Sequence, residues 1–178
     1  MSQSIISETR QYLTFELDKE IFAIDVSQVK EVLDYTKITK IPRTPDFMLG
    51  VINLRGSVVP VIDIRKKFGM NISEVTINTC IIVLEINYEN ELLTIGALAD
   101  SVKEVFELEP KDIEPAPKIG TKMNIEFIKG MGKKNDEFVI ILDINKIFSQ
   151  TELDFISNQK NDNENIENSE AIPDKVWF

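Results

Sequence analysis

Ile62-Asp63-Ile64-Arg65-Lys66-Lys67-Phe68 returns further along the chain as Leu142-Asp143-Ile144-Asn145-Lys146-Ile147-Phe148, with an aspartate, an isoleucine, a lysine and a closing phenylalanine at the same spacing. Each copy ends a long apolar strand, and each is preceded by a glycine-containing hairpin, Leu54-Arg-Gly-Ser57 in one case and Gly130-Met-Gly-Lys-Lys-Asn135 in the other. Further upstream, Val29-Lys-Glu-Val32 recurs as Val102-Lys-Glu-Val105, just after strand ends that carry Asp25 and Asp100. The proline loop Ile41-Pro-Arg-Thr-Pro45 has its counterpart in Ile113-Glu-Pro-Ala-Pro117. Four echoes in one order read as two similar units, each too small to close a large core alone and expected to share one.

The segments between the echoes alternate as strands do. Tyr12-Leu-Thr-Phe-Glu-Leu17, a turn at Asp18-Lys-Glu20 and Ile21-Phe-Ala-Ile-Asp-Val26 form a hairpin, and Thr79 to Ile86 followed by Leu92 to Ala99 form its second copy. Cys80 then faces the core, and Pro60, inside the strand Ser57–Ile64, indicates an edge or a bulge. The expected fold is all-β: two small barrels of roughly five short strands each, residues 12–78 and 79–149, with short helices. A C-terminal helix is expected over 145–156, where Ile147, Phe148, Leu153 and Ile156 share a face, with its end over 150–157. Residues 158–178, rich in Asn, Glu and Ser, have the composition of an acidic disordered tail, although Val176, Trp177 and Phe178 give it apolar groups to bury.

Composition excludes several functions. The chain has 178 residues, no histidine and a formal charge of −10, so a partner held mainly through phosphates is disfavoured and the commonest general base and zinc ligand are absent. One cysteine allows neither an internal disulfide nor a cysteine-based zinc cage. No run approaches the ~18 apolar residues of a spanning helix, and the start lacks the flanks of a secretion signal, so a cytoplasmic protein is expected. The charge is uneven: residues 1–70 carry nine acids and ten bases, residues 71–178 carry 21 acids and ten bases. All four arginines, Arg10, Arg43, Arg55 and Arg65, fall in the first part, where each is a candidate for interface contact or for a solvated surface.

No catalytic constellation emerges. The acids Asp25, Asp63, Asp100 and Asp143 each stand at an apolar strand end, where a carboxylate caps the turn that follows, and nothing brings two of them to hydrolytic spacing. There is no phosphate loop, nucleophile elbow or calcium loop, and Cys80 has no base to activate it. Catalytic, cofactor-binding and metal residues are therefore expected to be none. What remains is recognition: Asn53-Leu-Arg-Gly56 sets Arg55 on a glycine-held turn, with Glu31 as the plausible counter-charge, either to present the arginine to a partner or as a plain surface ion pair.

Phe22-Ala-Ile-Asp-Val26, Val29-Lys-Glu-Val32, Gly50-Val-Ile-Asn-Leu-Arg-Gly56 and Val59-Pro-Val-Ile-Asp-Ile64 together resemble the CheW family of chemotaxis coupling proteins. Gly96-x-Leu-x-Asp100, Val102-x-x-Val105 and Ile140-Ile-Leu-Asp143 extend the resemblance to about Phe148, a single domain over 10–150. The resemblance implies two SH3-like barrels, no catalytic activity and no cofactor. It also implies an adaptor that couples the cytoplasmic tips of methyl-accepting chemoreceptors to the regulatory domain of the CheA histidine kinase, and hence recruitment to membrane-associated receptor clusters. By the same resemblance, receptor contact falls on Glu31, Arg55 and the strand Ile95-Gly96-Ala97-Leu98, with Gly96 admitting a receptor helix. Kinase contact falls on Ile41, Pro42, Phe47 and Ile119. A scaffold in a parallel motility or developmental kinase pathway is the alternative, and a carboxylate-dependent hydrolase relying on Asp63 and Asp143 a remote one.

Overall fold

The computed structural model describes residues 8–116 and 126–158, and within them the chain forms two sheets. Strands β1 (Arg10–Leu17) and β2 (Glu20–Asp25) form the first hairpin, and β3 (Val29–Asp34), β4 (Met48–Leu54) and β5 (Ser57–Ile62) follow, closed by the short helix α1 (Ile64–Phe68). The second unit repeats this with β6 (Cys80–Tyr88), β7 (Glu91–Ala99), β8 (Ser101–Leu108), β9 (Ile113–Glu114), β10 (Ile128–Lys134) and β11 (Glu137–Leu142). A helix, α2, covers 150–158.

The two units exchange hairpins. One sheet runs β8-β1-β2-β11-β10-β9 and the other β3-β6-β7-β5-β4, so each combines one unit's hairpin with the other unit's remaining strands. This corrects the contiguous division into 12–78 and 79–149: β1 and β2 belong with the second unit, β6 and β7 with the first. At two junctions the chain passes from one sheet into the other. Between β2 and β3 stands one 3-10 turn, Val26–Gln28, whose N-cap Asp25 accepts from the Ser27 N–H; between β7 and β8 stands Asp100 alone. A hairpin needs a turn that folds the chain back, and neither junction supplies one. Both sheets close in the same way, by a two-residue parallel pairing: Val61 and Ile62 of β5 with Gly96 and Ala97 of β7, and Ile140 and Ile141 of β11 with Phe22 and Ala23 of β2.

Each barrel has its own interior. Tyr12, Phe106, Leu108, Val139 and Ile141 fill one, and Ile52, Val59, Val61, Ile81 and Leu98 fill the other. The largest cluster joins the two and includes Phe15, Phe22, Phe47, Ile62, Leu84, Leu142 and Phe148. At this seam the phenylalanine that closes each repeat packs on the other unit: Phe68 stacks on Phe127 at 4.4 Å between centroids, and Phe148 lies 5.8 Å from Phe47. The shared core expected from the small size of the units is thus built from the repeat's own residues.

Local rules account for the remaining elements. Asp63 and Asp143 cap the segments after them, accepting from the Arg65 N–H at 3.0 Å and the Asn145 N–H at 3.1 Å. The C-terminal helix starts later than 145, because a 3-10 turn, Ile144–Lys146, intervenes and Ser149-Gln-Thr-Glu152 makes a capping box: the Glu152 N–H donates to Ser149 Oγ and the Ser149 N–H to Glu152 Oε1. Pro60 is on an interior strand rather than an edge, tolerated because the pairing of β5 with β7 begins one residue later at Val61. Cys80 is half-buried at the start of β6, its thiol 3.2 Å from the Asn78 carbonyl, rather than fully in the core.

Tyr88 ties α2 to β6 by donating to Asp154, and that hydrogen bond pushes its pKa from 10.0 up to about 12. A donor whose folded pKa lies above its unfolded one stabilises fully below about pH 10 and loses that contribution as pH rises towards 12. The difference in melting temperature between the native chain and Tyr88→Phe should therefore be constant up to about pH 9.5 and shrink towards zero by about pH 12. A difference that stays constant across that interval would show that the phenol does not hold the helix.

Candidate interaction surface

Glu31 and Arg55 meet because two separate local features aim them at one point. The β4–β5 hairpin turns through Arg55 and Gly56, both at positive φ, +51° and +88°, the two-residue geometry that suits the right-handed twist of paired strands. The Asn53 side chain braces it by accepting from the Gly56 N–H at 2.8 Å. On β3, the register against β6 shifts between Val29 and Glu31. The two Arg55 terminal nitrogens then reach the two Glu31 oxygens at 2.9 Å each. The guanidinium holds the Glu31 carboxyl below its ordinary range, and Glu31 raises Arg55 in return. The Arg55 side chain is still 72% exposed, so the pairing fixes an arginine at the surface without covering it.

The other arginines have different roles. Arg65, a surface candidate in the sequence, is 3% exposed and lies between Asp63 and Asp100, with Nη1 2.7 Å from Asp100 Oδ1. Arg10 pairs with Asp25 at 2.8 Å. Burial alone would push the Asp25 carboxyl up, but the Ser27 and Arg10 hydrogen bonds outweigh it and hold the pKa below the ordinary value. Arg43 is exposed at a φ of +61°.

The strand expected to line a groove is closed. Ile95 and Ala97, each 1% exposed, point into the core between the barrels, and Leu98 points into a barrel interior. Gly96 is buried beneath its neighbours: a Cβ there would come within 2.8 Å of Ile81 Cγ2 and 3.4 Å of Val61 Cγ2, so its small size serves the sheet's own packing. An apolar run buried on both faces of a central strand reads in sequence like the lining of a groove. Of the loop residues, Pro42 is exposed, Ile41 half-buried and Phe47 only 9% exposed against Phe148. Ile119 and the tail aromatics Trp177 and Phe178 lie outside the described residues.

Two residues not singled out as contacts stand on the edge strands β3 and β8. Val32 and Val105 close the repeated Val-Lys-Glu-Val and are 40% and 51% exposed. The repeat places this apolar position at an exposed sheet edge in both copies. No chemistry gathers around the acids. Asp63 and Asp143 are committed to their caps, and Asp100 accepts from the Asp18 N–H at 2.8 Å as well as from Arg65. A polar cleft of about 300 Å³ between the β1–β2 turn and the loop before β6 mixes acids with Lys19 and Lys103.

A family model described as the CheW-like domain matches residues 11–152, from β1 into α2. The chain belongs to the CheW-like family. The match spans both sheets, so the exchanged hairpins lie within one CheW-like unit. Among its relatives, the chemotaxis protein CheW of Klebsiella aerogenes is 35% identical over 149 residues, covering 84% of this chain and 87% of that protein. The CheW of Treponema pallidum is 30% identical over 159 residues, covering 87% and 91%. A crystal structure titled as the scaffolding protein TtCheW from Thermoanaerobacter tengcongensis superposes with a TM-score of 0.71 at 34% identity, covering 80% of this chain and 94% of that one. CheW-like proteins are chemotaxis scaffolds, and the mostly-β, two-sheet architecture described above is theirs. Among the described residues no helix is long and apolar enough to cross a membrane.

Proposed function

We propose that this chain is a non-enzymatic adaptor that couples the cytoplasmic tips of methyl-accepting chemoreceptors to the regulatory domain of a CheA-type histidine kinase, so that receptor state controls autophosphorylation. The observation that carries this reading is the Arg55 fork, fixed by Glu31 on a rigid turn and exposed at the surface, in a CheW-like chain. The receptor face consists of Glu31 and Arg55 together with Val32, the neighbour of Glu31 on β3. The buried run Ile95–Leu98 supports that face from beneath rather than touching the receptor. The kinase face is the loop bearing Ile41 and Pro42, with Phe47 as its anchor in the core. Recruitment to receptor clusters follows from these contacts.

Arg55→Glu sets two carboxylates against each other at the surface. Assembly of the receptor–kinase–adaptor complex should weaken roughly tenfold or more, while the melting temperature moves by no more than about 2 °C. A pull-down with receptor tip and kinase regulatory domain, added separately and together, measures it. Undiminished assembly by this variant would remove Arg55 from the interface, and a collapse of folding would give the pair a structural role instead.

A further inference from the structure

The chain closes four hairpins with two-residue turns, Asp18-Lys19, Arg55-Gly56, Glu89-Asn90 and Asn135-Asp136, and every one of these residues has positive φ. That shape suits the twist of paired strands, so the hairpin alone accounts for it. Only one of the four turns holds itself with a side chain. Asn53 Oδ1 accepts from the Gly56 N–H at 2.8 Å, whereas among the described residues no side chain of the other three hairpins accepts from an amide of its own turn. Lys133 stands before Asn135-Asp136 as Asn53 stands before Arg55-Gly56, and an ammonium has nothing with which to accept. The β10–β11 hairpin forms all the same, so closing such a hairpin does not require a brace.

The brace coincides with the arginine. The second unit keeps the counterpart of Glu31, Glu104 in its own Val-Lys-Glu-Val, but its turn carries neither an arginine nor the brace. In the first unit both are present, and the brace acts on the softest joint of the turn. Glycine accepts φ of either sign, so the peptide between Arg55 and Gly56 can rotate at Gly56 with little resistance. The Asn53 carboxamide holds the N–H of that peptide. Arg55, on the other side of it, must reach from the turn to β3 and meet both Glu31 oxygens at 2.9 Å. A two-pronged contact tolerates little rotation of the backbone that delivers it, since both nitrogens must stay in line with the carboxylate. Asn53 is itself exposed and takes no part in the ion pair.

We infer that Asn53 is a positioning residue for Arg55: it fixes the turn in the conformation that delivers the guanidinium to Glu31, and through that pairing sets how the surface arginine is presented. A fork already held in place loses less freedom when a partner engages it, so the brace contributes to affinity without touching the partner. That contribution to binding rests on the reading that Arg55 contacts a partner. The effect of Asn53 on the Glu31–Arg55 pair does not.

The Glu31 carboxyl reports on the pair with no partner present. Arg55 and Lys30 are the cations that lower its pKa, so Arg55→Ala in the full chain, followed by NMR of the carboxyl carbon, isolates the share that belongs to Arg55. Asn53→Ala should move the Glu31 titration upward by about half or more of the Arg55→Ala shift. Asn53→Ser, whose hydroxyl accepts more weakly from a turn amide, should move it by less, and it serves as the test if the alanine variant fails to fold. The double variant should titrate like Arg55→Ala alone. A Glu31 titration unchanged in both Asn53 variants would overturn the inference, and so would an Asn53→Ala shift that persists in full on top of Arg55→Ala. In the pull-down with receptor tip and kinase regulatory domain, Asn53→Ala should weaken assembly about three- to tenfold, with no further loss once Arg55 is alanine. A shifted titration with undiminished assembly would uphold the positioning of Arg55 and remove Arg55 from the interface.

Discussion

Arg65→Met is expected to lower the melting temperature by about 6–20 °C, from the roughly 3–5 kcal/mol lost when a buried charge pair loses one partner. The guanidinium binds Asp63 through Nε at 2.9 Å and Nη2 at 3.0 Å, and Asp100 through Nη1 at 2.7 Å. Asp63 is 1% exposed, and the Asp100 side chain 18%. Methionine fills much of the volume but leaves both carboxylates without their cation in a poorly hydrated site. The damage falls at a sensitive place, since Asp100 is the residue through which the chain passes from one sheet to the other and its second oxygen accepts from the Asp18 N–H. Arg65→Lys should recover only part of the loss, because one ammonium cannot span both carboxylates as a fork does. Adding Asp63→Asn to the methionine variant, which keeps the capping oxygen and removes a charge, should recover some stability. A shift under about 2 °C for Arg65→Met in a thermal melt would mean the triad is no stronger than a surface pair.

Gly50→Ala should be worse, costing more than about 4 kcal/mol and leaving little soluble protein. Gly50 has φ +147°, and a Cβ there would be driven into the Thr39 carbonyl group and to 2.9 Å from Ile38 Cγ2. The obstacle is backbone held by the Thr39–Val51 pairing, so it cannot rotate away as a side chain could. Gly56→Ala is the control: its φ of +88° carries conformational strain, but nothing lies within 4 Å, so a loss of only about 1–2 kcal/mol is expected. Urea titrations of the two variants give the comparison. A Gly50→Ala protein as stable as Gly56→Ala would show that the β4 backbone yields where it is read as fixed.

These two residues also mark where the sequence could and could not be read. Gly50 and Arg55 sit in a run whose pattern is informative in itself, and the turn that presents Arg55, its partner Glu31 and the caps at Asp63 and Asp143 all depend on residues a few positions apart or on a single pairing. Arg65 lies only ten positions beyond Arg55 and carries the same side chain, yet it is buried. Its placement depends on Asp100, which reaches it only through the tertiary fold. The strand Ile95–Leu98 shows the same limit from the apolar side, since composition establishes that it is buried against something and leaves open whether that something is its own barrel or a partner.

From the sequence alone follow the duplication, the all-β class, the shared core and the charged turn at Arg55, because each rests on alternation, capping or turn chemistry acting over a few residues. Only the tertiary structure decided which strands join which sheet. Alternation distinguishes an inward face from an outward one but carries no label for the sheet that receives it, and the two repeats are alike enough that either hairpin satisfies either set of strands. The exchange takes place at two junctions without a reversing turn, the capped step after Asp25 and the single residue Asp100. That exchange joins the two units through a shared core, buries the strand Ile95–Leu98, and leaves Arg55, Val32 and Val105 exposed.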